Sequence, residues 1–173
     1  MIPRVAAATL KRLAGYYPVV ALTGPRQSGK TTLARSVFAD KPYVSLEDPD
    51  TRRFAEGDPR RFLAQYPDGA VIDEAQRFPD LFSYLQTRVD EERKPGQFVL
   101  TGSQQFGLLS GISQTLAGRV GLVHLLLFSL DELATAEKLP DLETMLWRGQ
   151  YPPVIDRAVP PGDWCADYVT TYI

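Results

Sequence analysis

The stretch Gly24-Pro25-Arg26-Gln27-Ser28-Gly29-Lys30-Thr31-Thr32 sets two glycines, a lysine and two threonines in nine residues. It fits G-x-x-x-x-G-K-[ST], a pattern with a physical reason behind each letter. Glycines let the backbone curl so that successive N–H groups point inward at an anion. A helix starting near Lys30 adds the positive end of its dipole. The Lys30 ammonium would reach β- and γ-phosphates, and the Thr31 hydroxyl would ligate magnesium. The candidate nucleotide contacts are Gly24, Pro25, Arg26, Gln27, Ser28, Gly29, Lys30, Thr31 and Thr32. For Arg26 the backbone N–H is the contact, because the side chain can point outward. The bland alternative, a glycine turn with an incidental lysine, leaves the flanking apolar strand and helix unexplained.

A phosphate loop alone does not separate kinases, GTPases and ATPases. The acids of "AVIDEAQ" (70–76) narrow the choice. Asp73, at the end of an apolar run, is placed to hold the magnesium shell with Thr31. Glu74 follows it, and side chains alternate along a strand. One carboxylate can then face the metal while Glu74 faces water beside the γ-phosphate, as a general base for hydrolysis. The competing readings are a turn residue for Asp73 and a solvated acid for Glu74. Ser103 ends the next apolar run, "FVLTGS". If that strand lies between the first and third, Ser103 reaches the γ-phosphate; otherwise it caps a turn. Arg119, before the fifth apolar run, is either an arginine that stabilises transition-state charge or a surface residue at a strand start. Lys30, Glu74, Ser103 and Arg119 are thus the catalytic candidates, and Thr31 and Asp73 the metal ligands. No guanine-reading Asn-Lys-x-Asp segment occurs, which favours ATP. No arginine-rich lid stands out between 104 and 118, which counts against a small-molecule or nucleotide kinase.

These residues need a frame to position them. "MIPRVAAATLKRLAG" reads as an amphipathic helix ending near Gly15. "PVVALT" (18–23) has the continuous apolar character of a strand buried on both faces. Helix "TTLARSVFA" follows, then strand "PYVSLE" (42–47), then two short helices within 48–66 broken at Gly57–Pro59. Strand "AVIDEA" (70–75), helix 79–93, strand "QFVLTGS" (97–103) and strand "RVGLVHLLLF" (119–128) complete the alternation. "SLDELATAEK" (129–138) opens with a capping box, Ser129 and Glu132. Alternating strands and helices predict an α/β fold, a parallel sheet with helices on both faces. Residues 151–163, "YPPVIDRAVPPGD", read as a proline-rich loop or linker, and a further helix starts at "DWCADYVTTYI".

Composition sets the outer bounds. The chain has 173 residues, 44% of them hydrophobic, which suits one domain with a substantial core. A formal charge of −2 argues against nucleic acid as the main ligand. The densest basic cluster, Arg52, Arg53, Arg60 and Arg61, could face DNA, a neighbouring subunit's nucleotide or solvent; interleaved acids favour solvent. The single cysteine, Cys165, cannot form an internal disulfide, and there is no Cys/His metal cluster. With no signal-peptide core and no membrane-length apolar run, a cytoplasmic setting is expected. His124 reads as a core histidine, and Trp147 and Tyr151 as packing residues.

Taken together, "LTGPRQSGKTTLAR", "YVSLEDPDTRRFAEGDPRRFL", "VIDEAQRFPDLFSYLQ", "FVLTGSQQFGLL", "SQTLAGRVGLVHLLLFSLDEL" and "WRGQYPPVIDR" resemble the prokaryotic AAA-superfamily P-loop ATPases that carry a C-terminal domain of unknown function. The resemblance covers almost the whole chain. It implies a P-loop NTPase three-layer sandwich with strand order 5-1-4-3-2, ATP and magnesium as ligands, and the roles given above for Lys30, Thr31, Asp73, Glu74 and Ser103. It implies an ATPase core at 1–150, then a linker and helix start at 151–173, with a second domain normally following. It leaves oligomeric state open: such ATPases often place one subunit's arginine at the next subunit's nucleotide, which would call for a homo-oligomer or protein partner, but no residue here proves a ring. The expectation is an ATP-driven switch, against a kinase or a DNA-associated ATP-binding module without turnover.

Overall fold

The computed structural model describes residues 2–103, 114–136 and 138–172. Its centre is β1 (Val19–Gly24), six residues that are all buried. To one side lie β4 (Phe98–Ser103), β3 (Val71–Asp73) and β2 (Tyr43–Ser45); to the other lies β5 (Val120–His124). All pairings are parallel, and the order β2-β3-β4-β1-β5 is the expected 5-1-4-3-2. Alternation along the strands builds two cores. Val19, Ala21, Ile72, Phe98 and Leu100 face one side, against Phe62, Leu81, Phe82 and Leu85. Val20, Leu22, Val71 and Val99 face the other, against Leu10, Leu33, Ala34 and Phe38. A period of two with apolar residues at every position puts both faces of the sheet in the dry interior.

The helices follow the sequence signals closely. On one face lie α1 (Ala6–Ala14) and α2 (Lys30–Val37); α3 (Pro49–Gly57), α4 (Pro59–Ala64) and α5 (Leu81–Glu92) lie on the other. Asp48 and Asp58 each cap the helix that follows them and hold a proline at its first turn. After β5 come α6 (Leu130–Ala134), with the Ser129–Glu132 capping box, α7 (Leu142–Arg148), α8 (Pro152–Asp156) and α9 (Pro161–Tyr172).

Several expectations differ from what is found. The fifth strand stops at His124 rather than Phe128, because the carbonyls of Leu126 and Leu127 turn to Arg4, and Leu122 and Leu126 are exposed. His124 is exposed, not a core residue; its Nδ1 lies 3.1 Å from Thr23 Oγ1. Trp147 is 70% exposed and does not pack. The segment 151–163 contains α8, whose Pro153 and Val154 are buried. Tyr151 does pack, with ring centroids 4.2 Å from Trp164 and 5.2 Å from Tyr168.

Candidate functional site

The loop from β1 to α2 leaves the carboxyl end of the central strand, where neighbouring crossovers part. Gly24 has φ +150, and a Cβ there would stand 2.1 Å from the Leu125 carbonyl oxygen. The backbone just after β5 thus passes too close for any side chain. Gly29 has φ +91 and is the N-cap of α2, with no side chain bonded to the helix end. The first-turn N–H groups of α2 therefore keep their donor capacity toward the loop.

Lys30 is buried, and its ammonium donates to the carbonyls of Gly24 (3.1 Å) and Pro25 (2.6 Å). Burial holds it below the ordinary lysine value, although the charges of Glu74 and Asp73 act the other way. Ser28 Oγ is buried with no hydrogen-bond partner among the described residues. The guanidinium of Arg4 braces the outside of the loop by donating to the Ser28 carbonyl at 2.9 Å.

Asp73 ends β3 and is buried. Thr31 Oγ1 donates to both of its oxygens, at 2.9 and 3.1 Å. Tyr43 donates its phenol at 2.8 Å, and Thr101 its hydroxyl. Burial and the bond to Asp73 push the Tyr43 phenol up to about 12. The carboxylate is thus aimed by three hydroxyls rather than by a cation. Thr31 and Asp73 together make a hard-oxygen pair of the kind that leaves magnesium's other positions to water and phosphate.

Glu74 is not part of the strand. It sits at φ +54, ψ +41 and starts a 3-10 turn, Ala75–Arg77. Asp73 and Glu74 therefore diverge through a left-handed kink and not through strand alternation. Glu74 Oε2 accepts from Gln76 Nε2 at 2.5 Å, and the same nitrogen donates to Ser103 Oγ at 3.3 Å. The condition on Ser103 holds: β4 lies between β1 and β3, and Ser103 pairs in register with Gly24. Arg119 is elsewhere. Its carbonyl accepts from Val19 at the opening of β1, and its guanidinium forms a two-point pair with Asp90 at 2.6 and 2.8 Å. The six-residue length of β1, at about 3.3 Å per residue, separates it from the loop by roughly 17 Å.

The loop borders a cavity of about 410 Å³, lined by Gln27, Lys30, Thr31, Glu74, Pro153 and Arg157 among others. A second of about 250 Å³ adjoins it through Gly29 and Thr32, with Ile2, Pro3, Leu33 and Phe128 in its walls. Sequence reading missed a contact to the loop: Trp164 of α9 donates its indole N–H to Gln27 Oε1 at 3.3 Å. Arg4, Tyr43, Gln76 and Thr101 were missed as well. Only Gln76, within the quoted "AVIDEAQ", carried a local signal.

The family described as "AAA domain" matches residues 16–134. The chain belongs to this family. Uncharacterized proteins of Mycobacterium bovis and Mycobacterium tuberculosis are each 39% identical to it over 180 residues. Those matches take in 98% of this chain but 38% of each relative. The AAA domain here thus spans well under half of the curated relatives it matches. In structure it is similar to a Walker-type ATPase of Pyrococcus abyssi, with TM-score 0.63, 15% identity, and coverage of 98% of this chain and 72% of that one. It is also similar to DnaA of Aquifex aeolicus with AMPPCP bound, with TM-score 0.55, 17% identity, and coverage of 97% and 59%. At such identities the likeness establishes the fold. Among the described residues no helix is long and apolar enough to cross a membrane.

Proposed function

We infer that this AAA domain binds ATP with magnesium and hydrolyses it to ADP and phosphate, as a nucleotide-dependent switch. The observation that carries the reading is the convergence of the Thr31–Asp73 hydrogen bond, the Lys30 ammonium, the Glu74 carboxylate and Ser103 at one end of the sheet. Lys30 exchanges its two loop carbonyls for phosphate oxygens, and the uncapped N–H groups of α2 hold the same anion. Thr31 and Asp73 would hold magnesium, which when bound would neutralise phosphate charge. Glu74 takes the proton of a water whose oxygen bonds to the γ-phosphorus as the bond to the bridging oxygen of ADP breaks. The Ser103 hydroxyl donates to the γ-phosphate. Arg119 is left out of the catalytic set for this chain's own nucleotide, since Asp90 engages it at the far end of β1.

The apolar second cavity suits the base. Asp156 lines both cavities and offers a carboxylate acceptor to the N–H groups of a purine. The preference for ATP rests on the lack of an Asn-Lys-x-Asp segment in the sequence. Three of the cluster's four arginines have local partners, which favours solvent over DNA. Arg53 lies 3.6 Å from Asp50, Arg52 donates to the Leu46 carbonyl, and Arg61 lies over the Phe54 ring. The core at 1–150 would do the chemistry, and residues 151–173 would close over the loop through Trp164.

Magnesium-dependent phosphate release, with no acceptor added, tests the reading and separates it from a kinase. Lys30→Ala is expected to abolish nucleotide binding. Glu74→Gln is expected to bind ATP and lose turnover. Wild-type turnover by Glu74→Gln would remove Glu74 from the mechanism; binding without release by the wild type would favour an ATP-holding module.

A further inference from the structure

We propose that Gln76 is a positioning residue that ties the Glu74 carboxylate to the Ser103 hydroxyl, so that the base and the phosphate-sensing position act as one hydrogen-bonded unit. The proposal rests on the roles assigned above to Glu74 and Ser103. The backbone makes the arrangement. Glu74 adopts the left-handed conformation that non-glycine residues rarely take, which turns the chain sharply at the end of β3. The 3-10 turn Ala75–Arg77 then brings Gln76 back between the two residues. Its Nε2 is 2.5 Å from Glu74 Oε2 and 3.3 Å from Ser103 Oγ.

The direction of these bonds is forced. An ionised carboxylate only accepts, so the amide nitrogen faces Glu74, and its second hydrogen is left for Ser103. Ser103 Oγ therefore accepts from Gln76, and its own proton is left to donate to an anion. The chain runs one way: Gln76 donates to Glu74 and to Ser103, and Ser103 donates onward. Hydrogen bonds in such chains polarise one another. The other amide atom, Oε1, is buried with no hydrogen-bond partner among the described residues. Glu74, Gln76 and Ser103 together with Arg26 and Arg77 bound a polar cavity of about 220 Å³, roomy enough for water. An acceptor at Oε1 and a carboxylate at Glu74 are what two hydrogens of one water would meet there. Glutamine suits the position better than its near-isosteres. Glutamate would repel Glu74, leucine would bond neither neighbour, and asparagine is one methylene short.

The first test uses the nucleotide-free protein. The side-chain amide proton resonances of Gln76 are identified by their loss in Gln76→Glu. They are expected to shift in both Glu74→Gln and Ser103→Ala; resonances that move in neither overturn the link. The second test is kinetic. Gln76→Leu is expected to lower kcat on the order of 10²-fold, the scale of a misplaced reacting group, with KM for ATP within about threefold. Gln76→Asn is expected to fall with it. Adding Ser103→Ala to Gln76→Leu is expected to cost little more, since residues of one network are not additive. Losses that multiply, or a Gln76→Leu variant that is merely less stable with kcat intact, overturn the proposal. Full turnover by Glu74→Gln would sink the base assignment instead, and the amide resonances would then decide the Gln76 link alone.

Discussion

Replacing Arg4 by methionine is expected to destabilise the fold by about 3 kcal/mol, and the number follows from what the guanidinium holds. Arg4 and Glu132 keep 7% and 6% of their side-chain surface exposed, and Arg4 Nε lies 3.1 Å from Glu132 Oε2. The other nitrogens donate to the carbonyls of Ser28 (2.9 Å), Leu126 (2.7 Å) and Leu127 (3.2 Å), and the guanidinium lies 4.6 Å over the Phe128 ring. Removing one partner of a buried pair costs about 3–5 kcal/mol, because a charge is left uncompensated. Glu132 would retain the N–H groups of Val5 (2.7 Å) and Ser129 (3.0 Å), which places the cost at the lower end. In a chain of this size about 3 kcal/mol corresponds to a Tm lower by roughly 6–12 °C. Urea unfolding of the wild type, Arg4→Met, Glu132→Gln and the double variant measures both the loss and the coupling. A coupling energy of about 2 kcal/mol is expected. A loss below about 1 kcal/mol for Arg4→Met, or additive single losses, would refute the view of Arg4 as the strut between the N-terminus, the phosphate loop and α6.

Three further outcomes follow from the same geometry. Gly24→Ala is expected to lose about 3 kcal/mol, since its Cβ would meet the Leu125 carbonyl oxygen at 2.1 Å and backbone cannot rotate away. Gly57→Ala, with nothing within 4 Å of its Cβ, is expected to be neutral or mildly stabilising; equal losses for the two would refute the close approach. For Tyr43, held protonated up to about 12, stability is full below the unfolded value near pH 10 and is lost as pH rises toward 12. With Tyr43 38% exposed, solvent screening leaves this contribution at about 1 kcal/mol. Tyr43→Phe should remove that part of the alkaline slope in urea unfolding, and identical slopes for both proteins between about pH 10 and 12 would refute it. In a Trp147→Phe background, Trp164 emission should change when ATP and magnesium bind, because its indole hydrogen bond ends on Gln27. Unchanged emission at saturation would separate α9 from the loop.

The sheet was legible because its strands, above all β1 and β4, are built on apolar runs and its crossovers are marked by caps and prolines. "PVVALT" and "QFVLTGS" could only be buried on both faces, and both are. The phosphate loop was legible for a different reason: a short motif forces its own backbone. Local reading fails where a partner arrives from far along the chain. "RVGLVHLLLF" looks like a ten-residue strand, yet β5 ends at His124 because the residues beyond turn toward Arg4. Arg119 was open between two roles, and the acid that takes it, Asp90, lies 29 positions back on α5. Glu74 was expected to alternate with Asp73 along a strand, and the αL turn instead delivers it to Gln76.

Glu132 shows most plainly how local and distant demands combine. The sequence marks it as the third residue of a capping box, and it is one: Ser129 Oγ accepts from the Glu132 N–H, and Glu132 accepts from the Ser129 N–H. A capping box alone would leave that carboxylate at a helix end in water. Here the same oxygens also receive Arg4 and the Val5 N–H, 127 positions or more away, and the group is buried. Arg4 in turn reaches the Ser28 carbonyl at the back of the phosphate loop. A helix start after the last strand is thereby joined in two steps to the loop expected to hold phosphate. No periodicity in the sequence could show that link, because each of its bonds is sequence-remote while each residue also satisfies a nearby rule. Hydrogen bonds thus join the loop to α6 through Arg4, and the segment beyond that helix meets the loop again where Trp164 donates to Gln27.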